Sequence, residues 1–78
     1  MNPKHKIGQV VQVYEYLADE TISGMYHGLI VDIDCHRLAL HGNPRALYIY
    51  HVLPNELSND RRGIQTAEEF AIEPLENQ

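Results

Sequence analysis

Three short runs of β-branched and aromatic residues constrain this chain more than any other feature. They occupy residues 7–13, 26–34 and 47–53, and each is bounded by polar turn material. Alternation is clearest in the second, where Leu29, Val31 and Ile33 interleave with Gly28, Ile30 and Asp32. The 78 residues suffice for one domain, and nearly every large apolar side chain must turn inward to build its core. The predicted fold is mainly β, with about five strands rolled into one small barrel. The domain spans residues 1–78, with 1–6 and 76–78 as flexible tails.

The connections carry their own signals. Residues 17–24 are acidic and end in glycine, which predicts a long excursion with Leu17 and Ile22 folded back onto the core. Gly28 inside a strand marks a bulge or a close backbone approach. Residues 35–45 read as a loop around the turn cluster Gly42, Asn43 and Pro44, with Leu38 and Leu40 in a short hairpin arm. Pro54 lacks an amide hydrogen and ends the third strand. A short strand is expected around Ile64. Thr66 and Glu69 have the spacing of a capping box, and Pro74 limits the helix it starts to about a turn. Phe70 is predicted to plug the barrel end, and Ile72 and Leu75 to form a last strand.

Composition narrows the function classes. With 44% hydrophobic and 22% charged residues, the chain is globular rather than disordered. No apolar stretch reaches the length of a membrane span, and the N-terminus lacks the apolar core of a signal peptide. Cys35 has no second cysteine to pair with, which suits a reducing compartment and predicts a cytoplasmic protein. Asp34 beside it disfavours a thiolate, so Cys35 reads as structural. The net charge of −5 weighs against sequence-independent nucleic-acid binding. The only basic residues that could contact phosphates are Lys4, Lys6, Arg37, Arg45, Arg61 and Arg62, in three separate places.

No catalytic signature stands out. The five histidines show no paired zinc-ligand spacing, and Cys35, His36 and His41, sharing one segment, supply three ligands where structural zinc takes four. No metal and no cofactor are predicted. His51 reads as a hydrogen-bonded core or rim histidine. Asp32 and Asp34 share a strand face, but a small barrel has little room for a hydrolytic cleft around them. Nucleophile-elbow, phosphate-loop and dinucleotide motifs are absent from the sequence, so a non-enzymatic role is expected. The tyrosines offer more. Tyr48 and Tyr50 are expected to close the core. Tyr14, Tyr16 and Tyr26 are the candidate partner-binding surface, because a phenol presents an apolar body with a polar tip.

Read in order, residues 7–11, 26–34, 50–53 and Ala67-Glu68-Glu69 resemble the hemimethylated-DNA-binding or heat-shock protein Q family. The resemblance covers roughly half of the chain and implies an SH3-like small β-barrel. It also implies either hemimethylated-DNA binding or an adaptor or modulator role in protein quality control. Residues 17–24 exceed the tight turn usual in that family, and residues 35–45 replace its acidic insertion with a stretch holding Arg37 and Arg45. The expected function is a small protein-binding module acting as adaptor or regulator, in quality control or in phage and host regulation. DNA binding is the alternative, and an exposed sheet edge leaves room for a homodimer.

Overall fold

A computed structural model describes residues 2–40, 42–55 and 63–75; residues 39, 40, 43 and 44 are described by their backbone. The architecture is mainly β. The strands are β1 (Val10–Tyr16), β2 (Ile22–Leu40), β3 (Asn43–Pro54), β4 (Gln65–Glu68) and β5 (Ile72–Pro74). A 3₁₀ turn, Glu69–Ala71, separates the last two. All pairings are antiparallel, in one sheet ordered β4-β3-β2-β1-β5. Among the described residues the sheet does not close, and β4 and β5 are its two edges.

One face of this sheet forms the core. Val11 and Val13 of β1, Tyr26 and Ile30 of β2, Tyr48, Tyr50 and Val52 of β3, and Ile72 of β5 are buried together. Their two-residue spacing follows from the pleat. The pairing of β2 is irregular near its start, where Ser23 is skipped between Gly24 and Ile22, and again in its middle. Ile30 opposes Val52 but Asp32 opposes His51, so Val31 is an inserted residue, a β-bulge. Before it, the even-numbered Tyr26, Gly28 and Ile30 are buried. After it, Ile33 packs on the core, while Asp32 and Asp34 are exposed. The bulge therefore keeps two carboxylates out of the core.

Gly28 marks a close approach, as expected, although the bulge lies three residues further on. A Cβ there would stand 2.5 Å from Val52 Cγ1 and 2.7 Å from the Leu53 carbonyl oxygen. At the other end of β2 the chain reverses between Leu40 and Asn43, and Gly42 takes φ +80°, a conformation open to glycine. Residues 35–45 are thus mostly strand: the expected arm is an outward extension of the β2–β3 hairpin. Among the described residues, these two strands pair only with each other beyond Asp34 and Ile49.

Other sequence expectations differ in instructive ways. β1 starts at Val10 rather than Ile7, because Gly8 (φ +93°) turns the chain and Ile7 is exposed. The excursion after β1 is a short turn. Leu17 N–H donates to Thr21 O at 2.8 Å, Asp19 Oδ1 accepts from the Thr21 amide and hydroxyl, and Ile22 already pairs with Tyr16. Leu17 and Ile22 are exposed rather than folded back. The capping box does not form: Thr66 lies within β4, the residue before the 3₁₀ turn is Glu68, and no side chain caps that turn. Ile64 precedes β4, and the last strand ends at Pro74, before Leu75. Within the polar lead, Asn2, Lys4 and Lys6 are exposed, while His5 is only 5% exposed, against Tyr50.

Candidate functional site

The open side of the sheet produces a groove. β5 pairs with β1 only from Val11 to Val13, so the C-terminal half of β1 runs on toward β4 without it. Between them lies a cavity of about 270 Å³, lined by Tyr14, Glu15, Tyr16 and Tyr26 on one side and by Thr66, Glu68 and Phe70 on the other. A neighbouring depression of about 420 Å³ is lined by Tyr16, Leu17, Glu20 and Phe70. The three tyrosines singled out from the sequence therefore share one groove.

They occupy it differently. Tyr26 is 5% exposed and lies in the core. Tyr14 is half-buried, and its phenol donates to Glu73 Oε1 at 2.6 Å and accepts from Gln12 Nε2 at 2.7 Å. His27 Nε2 and Gln12 Oε1, 3.1 Å apart, extend this ladder across β2, β1 and β5. The hydrogen bond to Glu73 raises the Tyr14 pKa, because it favours the neutral phenol. Tyr16 is 40% exposed and meets Phe70 with ring centroids 5.3 Å apart and planes tilted by 44°. This pair is the aromatic wall of the groove.

Phe70 is where sequence reasoning missed most. Expected as a plug, it is 68% exposed. The 3₁₀ turn directs Ala71 and Ile72 inward instead, and both are buried. The available signal was the pair of small and branched residues after Phe70, which supply the apolar contact that the turn needs. Tyr48 and Tyr50 are buried on the opposite strand pair and add nothing to the aromatic wall.

The charged residues are segregated. Glu15, Glu20 and Glu68 line the two depressions, and no Lys or Arg does so among the described residues. Lys4 and Lys6 are exposed on the N-terminal lead. Arg37 pairs with Ala46 and Arg45 with Leu38, so these two arginines leave the ribbon on opposite faces. Arg61 and Arg62 lie outside the described residues. Cys35 and His36 are neighbours on β2 and likewise point to opposite faces, which rules out joint ligation of one ion; His41 lies outside the described residues. Asp32 and Asp34 share a face, as their spacing implied; it is the outer one, and His51 of β3 joins them there, with Nε2 2.7 Å from Asp34 Oδ2. These residues line neither depression.

Among the described residues no helix is long and apolar enough to cross a membrane. No family model matches the chain, and no curated protein or solved structure matches it.

Proposed function

We propose that this chain is a non-enzymatic protein-binding module that holds a short, extended, positively charged segment of a partner in the groove between β1 and β4. The observation that carries this reading is the exposed Tyr16–Phe70 wall set among Glu15, Glu20 and Glu68. Aromatic faces next to carboxylates attract Arg and Lys through cation–π and charge-assisted contacts. The outer edge of β4 offers backbone groups to an added strand. The strand order, with β5 returning to β1 after a 3₁₀ turn, supports an SH3-like barrel opened at the β1–β4 seam. The resemblance to the heat-shock protein Q family supports an adaptor or regulator role, and lone Cys35 supports a cytoplasmic setting.

Fluorescence polarisation tests this with matched extended peptides, one Arg-rich and one with each Arg replaced by Glu. Saturable binding of the Arg-rich peptide, lost in Tyr16→Ala and Phe70→Ala, is the expected result. Equal binding of both peptides, or indifference to both substitutions, sinks it. Hemimethylated duplex DNA belongs in the same assay: steeply salt-dependent binding that requires Lys4, Lys6, Arg37 or Arg45 would instead establish the DNA-binding alternative. Light scattering on the free protein identifies a second copy as the occupant if the mass is that of a dimer.

A further inference from the structure

We infer that Asp32, Asp34 and His51 form a binding site for a divalent transition-metal ion of the zinc type on the outer face of the β2–β3 pair. One ligand atom from each residue lies within 4.8 Å of the other two. Tetrahedral bonds of about 2.1 Å set donors about 3.4 Å apart, so the widest separation needs to shrink by no more than about 1.4 Å. His51 Nε2 and Asp34 Oδ2, 2.7 Å apart, are already closer than that spacing. Asp34 and Asp32 are exposed, so rotation of their side chains displaces no packed neighbour, although Asp32 Oδ1 accepts from the Ile33 amide at 2.9 Å and a large rotation would give up that bond.

Three features distinguish this cluster from a merely acidic patch. Its donors come from two strands, locked in register by the Asp32–His51 pairing that the Val31 bulge creates. Its imidazole selects zinc-like ions over magnesium and calcium, which prefer all-oxygen shells. Among the described residues, the contact with His51 is the only ion pair either carboxylate makes, so no Lys or Arg competes for the site. Three protein ligands leave the outward coordination positions to water or to a donor from another molecule. Bound there, the ion would tie β2 to β3 at the base of the ribbon.

The test is zinc titration of the full chain by calorimetry and native mass spectrometry, with magnesium as comparison. One zinc per chain is expected, with affinity at least tenfold weaker in His51→Gln and in Asp34→Asn and unchanged in Cys35→Ser and His36→Gln. Manganese added to the wild-type protein should broaden the Asp32, Asp34 and His51 resonances first, a readout that stands even if a variant folds poorly. Absence of saturable zinc binding would overturn the inference, leaving an Asp–His hydrogen bond only. So would zinc binding retained in His51→Gln, or lost in Cys35→Ser.

Discussion

The Tyr50 phenol donates to Glu69 Oε2 at 2.5 Å, joining the middle of β3 to the 3₁₀ turn that precedes β5. The same carboxylate oxygen accepts from the Lys4 amide at 3.0 Å. The His5 amide donates to the phenol oxygen at 3.4 Å, and the His5 ring meets the Tyr50 ring edge-on at 5.3 Å. Tyr50→Phe keeps the ring and strips only the phenol's two bonds, to Glu69 and from the His5 amide. A loss of about 1–3 kcal/mol is expected in urea unfolding, the cost of leaving buried groups unpaired. A double-mutant cycle with Glu69→Gln should show clear coupling, and additive effects would dissociate the pair.

Acid should weaken the fold in two windows. Burial lowers the His5 pKa from its ordinary 6.5; Glu69 opposes this shift and Lys4 reinforces it. The folded state thus prefers neutral His5, and that stability is lost as pH falls from the ordinary value through the lowered one. Burial pushes the Glu69 carboxyl up, but the Lys4 amide, the Tyr50 phenol and the Lys4 and His5 charges together hold it below its ordinary 4.5. Its contribution is also lost on acidification, at lower pH. Thermal melts across the acid range should show both declines, and His5→Gln should remove the upper one and only weaken the lower, since the His5 charge is one of several causes of the Glu69 shift.

Alkali acts through Tyr50. Burial, reinforced by the bond to Glu69, pushes its pKa from 10.0 up to about 12. An unfolded tyrosine ionises first, so stability falls between those two values as pH rises. Tyr14 and Tyr48 are also raised, so phenolate absorbance should show several delayed tyrosines in the wild type and lose the component near 12 in Tyr50→Phe.

Gly28→Ala should destabilise by about 1–3 kcal/mol, because the new methyl overlaps both the Val52 side chain and the Leu53 backbone carbonyl. Chemical denaturation measures this, and a neutral result would show that β2 and β3 can separate locally at no cost. Val52→Ala should cost less in the Gly28→Ala background than alone, since it removes the nearest clashing atom, and additive losses would show no such overlap.

Aromatic substitutions should separate folding from binding. Phe70→Ala, at an exposed site, is expected to change stability by less than about 1 kcal/mol. Tyr26→Ala empties a core position and should cost about 3–5 kcal/mol, in the range for large aromatic truncations. Comparing melts of the two variants checks both. A large loss for Phe70→Ala would make the ring a structural element and weaken its claim to a partner.

Much of the sheet was readable because alternation and turn chemistry act locally. Val11 and Val13 on one face, Tyr48 and Tyr50 in the core, and Pro54 at the end of β3 all follow from period-two patterning and backbone chemistry. Less local features escaped. The Val31 bulge depends on how β2 meets β3, and no residue type announces it. Thr66 and Glu69 match a capping box in spacing, but pairing with β3 claims Thr66 while Tyr50 and the Lys4 amide claim the Glu69 carboxylate. The groove was invisible as a shape, although Tyr14, Tyr16 and Tyr26 were legible as its tyrosines. The conjunction of Asp32, Asp34 and His51 required the register across two strands.

The outward run of β2 and β3 has a kinetic consequence. A two-stranded ribbon without a third neighbour is barely stable in water, so its hydrogen bonds can open without disturbing the rest of the sheet. Amide protons from Cys35 to Leu38 and from Arg45 to Leu47 should exchange with deuterium well before those of Val11, Val13 and Ile30, giving the hairpin a graded clock from tip to base.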